Sequence, residues 1–446
     1  MKYQLNKKIH FILLVILVMP VMAYAQTIPD SLFLDNIIQI MEENNPALKQ
    51  MDEKTNSAEL KEQLVRTAYL PYIYASANAV RLFPIPSFDI VLPDPEGGDP
   101  MSRQMQMYPD ISQDYGLKMN QMIYDFGKTK NTEGLQKTLT ELTRLSNAQL
   151  KQKLILAAAG YYYSLLYLQN AVKIRAAEIE TLKQHLDVIL KKQETGSATQ
   201  YEILTTKVRI SATETQLTDL QSNLTIISSH LCNIMGIPET EYAVKDLPET
   251  TFNEYTTTDS LFSFALDHRY EMLMAGRNEE AATWNYKIAQ SRSNPSLSLM
   301  GGAGYKNGYI SDINALKFNY SVGLSLNVPI FENNRKKIGK EIAHSAVIES
   351  QLETENVGNK ISDEVRESFE NITLSEKKMD QFKVQLNLAK EAYSHAETNY
   401  YAGAITNLDL LDSSNALAES KLMLLRAQME YKYNLVKLKS AMGIVL

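Results

Sequence analysis

The chain has 446 residues, with 52 acidic against 45 basic side chains and a formal net charge of −7. That length is ample for a large core or two domains, and the acidic balance argues against a basic nucleic-acid-binding face. A single cysteine, Cys232, excludes an intrachain disulfide.

The first 25 residues read as a secretory signal: basic Lys2, Lys7 and Lys8, an apolar run Phe11–Met19, and the small-residue site Ala23-Tyr24-Ala25. About nine apolar residues cannot span a bilayer core of roughly 30 Å. Losing three lysines takes the charge from −7 to −10, and no cysteine follows to carry a lipid anchor. A leading helix is expected over 31–69, then strands over 71–82 and 114–124 flanking the connection 83–110, which is rich in Pro, Asp and Met. A long helix over 128–193 follows, with apolar positions recurring at three and four: Leu154, Ala158, Tyr161, Leu165, Leu168, then Ile179, Leu182, Leu186, Ile189. A return helix, 201–233, leads to a proline-marked polar join, 237–258. The same order then repeats: leading helix 259–293, strands 295–305 and 320–331, long helix 335–400 and a return helix to the chain end. No proline occurs between Pro109 and Pro238 or after Pro329, as long helices require.

The repetition is visible residue by residue. ETGSATQYEIL at 194–204 and YAGAITNLDLL at 401–411 match at a fixed offset of 207, pairing Gly196 with Gly403, Thr199 with Thr406, Glu202 with Asp409 and Leu204 with Leu411. Tyr124-Asp125 then falls on Phe331-Glu332, and Met235-Gly236-Ile237 on Met442-Gly443-Ile444. Upstream the offset is 224, the difference lying in the longer 83–110 connection. Two copies are too few for a solenoid, so the pattern predicts a duplicated domain, 26–236 and 259–446. Each long helix would rise about 100 Å. The return helix of the first copy is expected to stack end to end with the leading helix of the second, and the leading helix of the first with the last return helix.

The strands alternate with period two. Tyr320, Val322, Leu324, Leu326 and Val328 share one face and Ser321, Gly323, Ser325 and Asn327 the other. Leu297, Leu299, Gly301, Ala303 and Tyr305 oppose Ser296, Ser298 and Gly302, while Tyr115, Leu117, Met119 and Ile123 oppose Gly116, Lys118 and Asn120. Tyr72 and Tyr74 blur the parity of the first strand. Segments of this length, one face apolar and one polar, fit a transmembrane barrel. Four strands cannot close, and an open edge in hydrocarbon leaves unpaired backbone groups costing several kcal/mol each. Closure therefore calls for further copies: two give eight strands and a filled interior, three give twelve and a channel, and three is the more economical solution.

These features together resemble the TolC-type outer-membrane efflux proteins, over nearly the whole chain after residue 25: the duplicated layout, the strand–helix junctions IYDFGKTK and IFENNRKK, and the two Gly-Thr phrases. The resemblance implies a mainly α chain with a small β part. Its duplicated long-helix bundle forms a homotrimeric α-helical barrel beneath a shared 12-stranded β-barrel, in the outer membrane of a Gram-negative bacterium. It implies a periplasmic adaptor and an inner-membrane pump of RND, ABC or MFS type as partners, besides outer-membrane lipid. Function would be the exit duct of a tripartite efflux pump for small molecules, or of a type I protein-secretion system. The phrases become the periplasmic tip, with Gly196, Thr199, Leu204, Gly403, Thr406 and Leu411 as adaptor-docking positions. Asp409, Asp412, Tyr400 and Glu202 become gate positions. Asp409 and Asp412, three apart on one helix face, would form acidic rings. Ile405 stands where some members carry a basic residue that reaches the acid matched by Glu202, so the closed tip is expected to rest on packing.

The phrases also have a purely structural reading. The glycines make helix C-terminal turns, the threonines cap the return helices, and the acids sit in a first turn. No GxSxG, HExxH, CxxC or Walker pattern occurs. His185, His230, His344 and His395 lack metal spacing, and GGAGYKNG at 301–308 reads as strand end and turn. Neither enzyme activity nor a cofactor, metal or nucleic-acid partner is expected. From a different class, a structural periplasmic coiled coil with β-hairpin caps fits the same helices.

Overall fold

The computed structural model describes residues 31–93, 97, 101–240, 242–246, 258–310 and 312–444; the predicted signal and part of the predicted join lie outside the described residues. In chain order the elements are α1 (Leu34–Asn44), α2 (Pro46–Arg66), β1 (Tyr72–Arg81), β2 (Ser87–Leu92), β3 (Met101–Gln106), β4 (Ile111–Tyr124), α3 (Lys128–Glu194) and α4 (Gln200–Met235). They continue with α5 (Thr258–His268), α6 (Tyr270–Ser291), β5 (Ser296–Lys306), β6 (Lys317–Asn327), α7 (Arg335–Tyr401) and α8 (Asn407–Ala441). The fold is mainly α with a small β part, as expected, and both long helices end within a residue of their expected bounds.

Each leading helix, expected to be continuous, is broken. Pro46 cannot donate to α1, and Asn45 instead caps α2 by accepting from the N–H groups of Ala47 and Leu48. Arg269 breaks the second copy without proline or glycine. Its backbone is extended (φ −70°, ψ 132°), and its buried guanidinium pairs with Glu271 and with Glu364 of α7.

Those breaks decide the stacking, which differs from expectation. Gly236, at the end of α4, abuts the α1–α2 break: a Cβ there would lie 2.6 Å from the Asn44 carbonyl oxygen, and the Asn45 side-chain amide donates to the Ile234 carbonyl at 2.7 Å. Gly443 meets the α5–α6 break in the same way, 2.8 Å from His268. Each return helix therefore stacks on the leading helix of its own copy. The two largest apolar cores form at these joints, one around Ile37, Met41, Tyr162, Leu165, Leu231 and Met235, the other around Leu261, Ile361, Val365, Leu438 and Met442.

Four columns result, in the order α2/α4, α3, α6/α8, α7, each packed only on its neighbours in that order apart from a small contact between α4 and α8. The four long strands follow the same order, β1-β4-β5-β6, all antiparallel. Pairing settles the first strand: Ile73 lies opposite Met119, Ala75 opposite Leu117 and Ala77 opposite Tyr115, so Tyr72 and Tyr74 belong to the polar face. A bulge between Met122 and Tyr124 puts Tyr124 opposite Leu297 and moves Ile123 off the apolar face expected for it. β6 runs 317–327 rather than 320–331, stopping short of Pro329, which has no N–H to donate to the ladder. The connection 83–110 contains an unforeseen hairpin, β2 pairing with β3.

At each strand-to-helix junction two consecutive residues turn left-handed, Phe126-Gly127 and Asn333-Asn334. Asp125 secures the first by accepting from the N–H groups of Gly127 and Thr129.

Candidate functional site at the helical tip

The two Gly-Thr phrases fold alike, at the helix ends remote from the sheet. Gly196 (φ +71°) ends α3, with the Ser197 N–H donating to the Lys192 carbonyl at 2.8 Å; Gly403 (φ +75°) ends α7, with Ala404 donating to Asn399 at 2.8 Å. This wrapped turn satisfies the last helical carbonyls and needs a left-handed residue. Thr199 then caps α4 by accepting from the Glu202 N–H, while the Glu202 carboxylate accepts from the Thr199 N–H. Thr406 and Asp409 make the same reciprocal box on α8, and the Thr406 hydroxyl also donates to Asp409 at 2.7 Å. That hydroxyl contact, with the backbone one, holds the exposed Asp409 carboxyl below its ordinary pKa. The structural reading of the phrases is thus realised in full, and Glu202 and Asp409 are engaged in their own helix starts.

The remaining predicted positions separate. Leu204 is 52% exposed, whereas its counterpart Leu411 is 2% exposed and packs with Leu182 and Ile210. Leu411 is therefore a core residue of the tip and not a docking contact. Asp412 reaches across to Arg209 of α4 at 2.6 Å. Tyr400 is buried; its ring meets His185 edge-on at 5.1 Å and lies under the Lys192 ammonium at 4.4 Å, and burial raises its pKa.

The sequence reading missed what joins these pieces. His185 on α3 and Asn407 on α8 are both buried, with His185 Nε2 2.7 Å from Asn407 Oδ1. The Asn407 amide donates to the Thr206 hydroxyl at 3.1 Å, and Thr206 donates to the Glu202 carbonyl at 2.8 Å. Since the asparagine nitrogen is donating, its oxygen accepts, and the imidazole carries its proton on Nε2. Through Tyr400 the network binds all four tip helices. Burial, with the Lys192 charge, outweighs the Asn407 contact and holds His185 below its ordinary pKa of 6.5. The available signal was a lone ionisable residue in the apolar seam between Leu182 and Ile189.

Among the described residues no group of His, Cys, Asp and Glu is placed to hold a metal, and no helix is long and apolar enough to cross a membrane. The profile of the outer membrane efflux protein family matches residues 37–237 and again 261–444. The chain belongs to that family. Membership places it in the outer membrane. TolC of Salmonella enteritidis is 21% identical over 73% of this chain and 68% of its own length. The pyoverdine export outer membrane protein OpmQ of Pseudomonas putida is 23% identical over 95% of this chain and 90% of its own. The solved CmeC outer membrane channel of Campylobacter jejuni superposes with a TM-score of 0.75 at 16% identity, covering 92% of this chain and 85% of that one. OpmQ is thus named for export and CmeC for its channel.

Proposed function

We propose that this efflux protein is the outer-membrane exit duct of a tripartite export machine, acting as a homotrimer without catalytic activity of its own. The carrying observation is the pair of open edges. One edge is β1 with the α2/α4 column, the other β6 with α7, and both expose apolar rows: Leu60, Leu64, Tyr201 and Val208 against Ile342, Leu352, Val384 and Leu388. A head-to-tail ring brings unlike edges together and leaves no free strand in hydrocarbon. Three copies give a twelve-stranded barrel over a helical tunnel. The end-to-end similarity to a pyoverdine exporter supports small-molecule cargo.

The tip is the gate and the docking end. The repeats 26–236 and 259–446, joined at 237–258, supply two tip turns per chain and six per trimer. Gly196, Thr199, Gly403 and Thr406 face open space and suit an adaptor of a pump complex; Leu204 shares its column's exposed row and serves either the adaptor or the neighbouring chain. Asp409 and Asp412 line the constriction, with Tyr400 and Glu202 holding it shut. In planar bilayers the wild type should conduct weakly and a tip-opened variant strongly. Asp409→Ala with Asp412→Ala should relieve block by multivalent cations from the periplasmic side. A tip-opened variant that stays silent would overturn the duct; unchanged block would remove the two aspartates from the constriction.

A further inference from the structure

Midway along the helices the row of columns carries a second layer on one face. There Tyr162, Leu165 and Leu166 of α3 pack in one core with Ile37 and Met41 of α1. On the same side Tyr162 donates to the Lys245 carbonyl, and Gln169 donates to that of Tyr242 at 3.2 Å. Ala157, Gly160 and Ser164, spaced by three and four, share the opposite face of the same turns of α3. In a closed ring of columns an extra layer on the inside would fill the duct. The covered face is then the outer one, and the face of Gly160 looks into the lumen.

That inner face is hollowed. α4 and α8 touch only slightly, and between them lies a cleft of about 700 Å³ floored by Ala157, Gly160 and Ser164. Its walls carry Tyr161, Tyr163 and Tyr167 of α3 and Tyr433 of α8. The Tyr433 ring leans over Gly160, where a Cβ would sit 3.5 Å from both the ring and its hydroxyl. Among the described residues none is hydrogen-bonded to any of the four phenol hydroxyls. Burial raises the pKa of Tyr163 and of Tyr433, so both keep a proton to donate. The only charged lining residues, Arg426 and Glu430, pair with one another at 3.0 Å.

These features select a ligand by its chemistry. The volume suits a drug-sized molecule, and tyrosine faces favour a flat aromatic partner in offset stacking. Four hydroxyls without protein partners favour a ligand rich in donors and acceptors. A lining whose two charges cancel gives no advantage to an ion. We infer that this tyrosine cleft is a cargo-binding site on the lumenal wall at mid-height, taking uncharged, polyhydroxylated aromatic molecules. The inference rests on the duct reading for the orientation of the cleft and for the occupant being cargo. Because α3 lies inside the row of columns, ring closure through the outer columns leaves the cleft open.

The test is calorimetric titration of the detergent-solubilised full chain with catechin, an uncharged polyphenol, and separately with sucrose, a non-aromatic polyol of similar size. Empty micelles supply the baseline. Catechin should bind the wild type and sucrose should not. Tyr167→Leu with Tyr433→Leu removes two stacking rings and should weaken catechin binding by about tenfold or more. Should that variant fold poorly, Ala157→Trp, at an exposed floor position, fills the cleft and carries the same expectation. No catechin binding by the wild type, equal binding of sucrose, or equal catechin binding by all variants overturns the site. Titration needs no current, so this failure is distinct from a silent bilayer, which would count against the duct.

Discussion

Helices α3 and α7 are both 67 residues long and hold the same place in the two copies, yet α3 buries seventeen residues and α7 only five. The difference is one of neighbours. α3 has a helix column on either side, whereas α7 has the α6/α8 column on one side and nothing on the other. Duplication supplied the same backbone twice, and position in the row of columns then set them apart: one copy builds the core of the protomer, and the other carries the face that the proposed ring would cover.

That contrast can be broken by mutation. The largest effect expected is on assembly: Val384→Glu with Leu388→Glu, at side chains 60% and 61% exposed, should abolish the oligomer and leave helicity by circular dichroism unchanged. In α3, Leu165→Ala should instead destabilise the protomer by about 2–5 kcal/mol in a denaturant titration. Loss of fold from the α7 variant would dissolve the distinction.

A second contrast lies along α3. Arg175 is buried with Glu178 and also bridges to Glu419 of α8, where the second copy carries half-buried Phe382. Arg175→Ala strands a buried carboxylate and should cost about 3–5 kcal/mol, while replacing Arg175 and Glu178 together by apolar residues should cost far less. Equal losses from the single and double variants would contradict this.

The tip offers a pH-dependent contrast, because the second copy has Ala392 where the first has His185. Burial lowers the folded pKa of His185 below 6.5. The unfolded segment therefore takes up a proton first, and stability present above that value is lost as pH falls through it. Amide protection factors at 181–189 and 405–410, corrected for the intrinsic pH dependence of exchange, should fall between about pH 7.5 and 5.5, and His185→Gln should remove much of that fall. The smallest effect belongs to Arg209–Asp412, whose side chains are 28% and 61% exposed. A double-mutant cycle there should give about 0.2–1 kcal/mol, falling with salt.

Much of this architecture is legible in the sequence alone. Proline-free runs and the offset of 207 locate α3, α7 and both tip turns, because helix length and capping are local properties. Asn45-Pro46 also carries its break in plain chemistry, which the expectation of one helix over 31–69 passed over. The break at Arg269 does not, since it depends on Glu271 and on Glu364, almost a hundred residues away. Nor does the stacking of each return helix on its own copy, which Gly236 and Gly443 fix through long-range contact. Leu204 and Leu411 share a motif position and differ only in what surrounds them, and the His185–Asn407 bond joins residues 222 apart. Whatever requires knowing which columns are neighbours stays hidden.

In the proposed ring the two open edges of the protomer require one another. Native mass spectrometry of the full-length protein released from mild detergent measures this directly. Three chains per particle is the predicted result; a single chain that remains folded and stably inserted in lipid would contradict it.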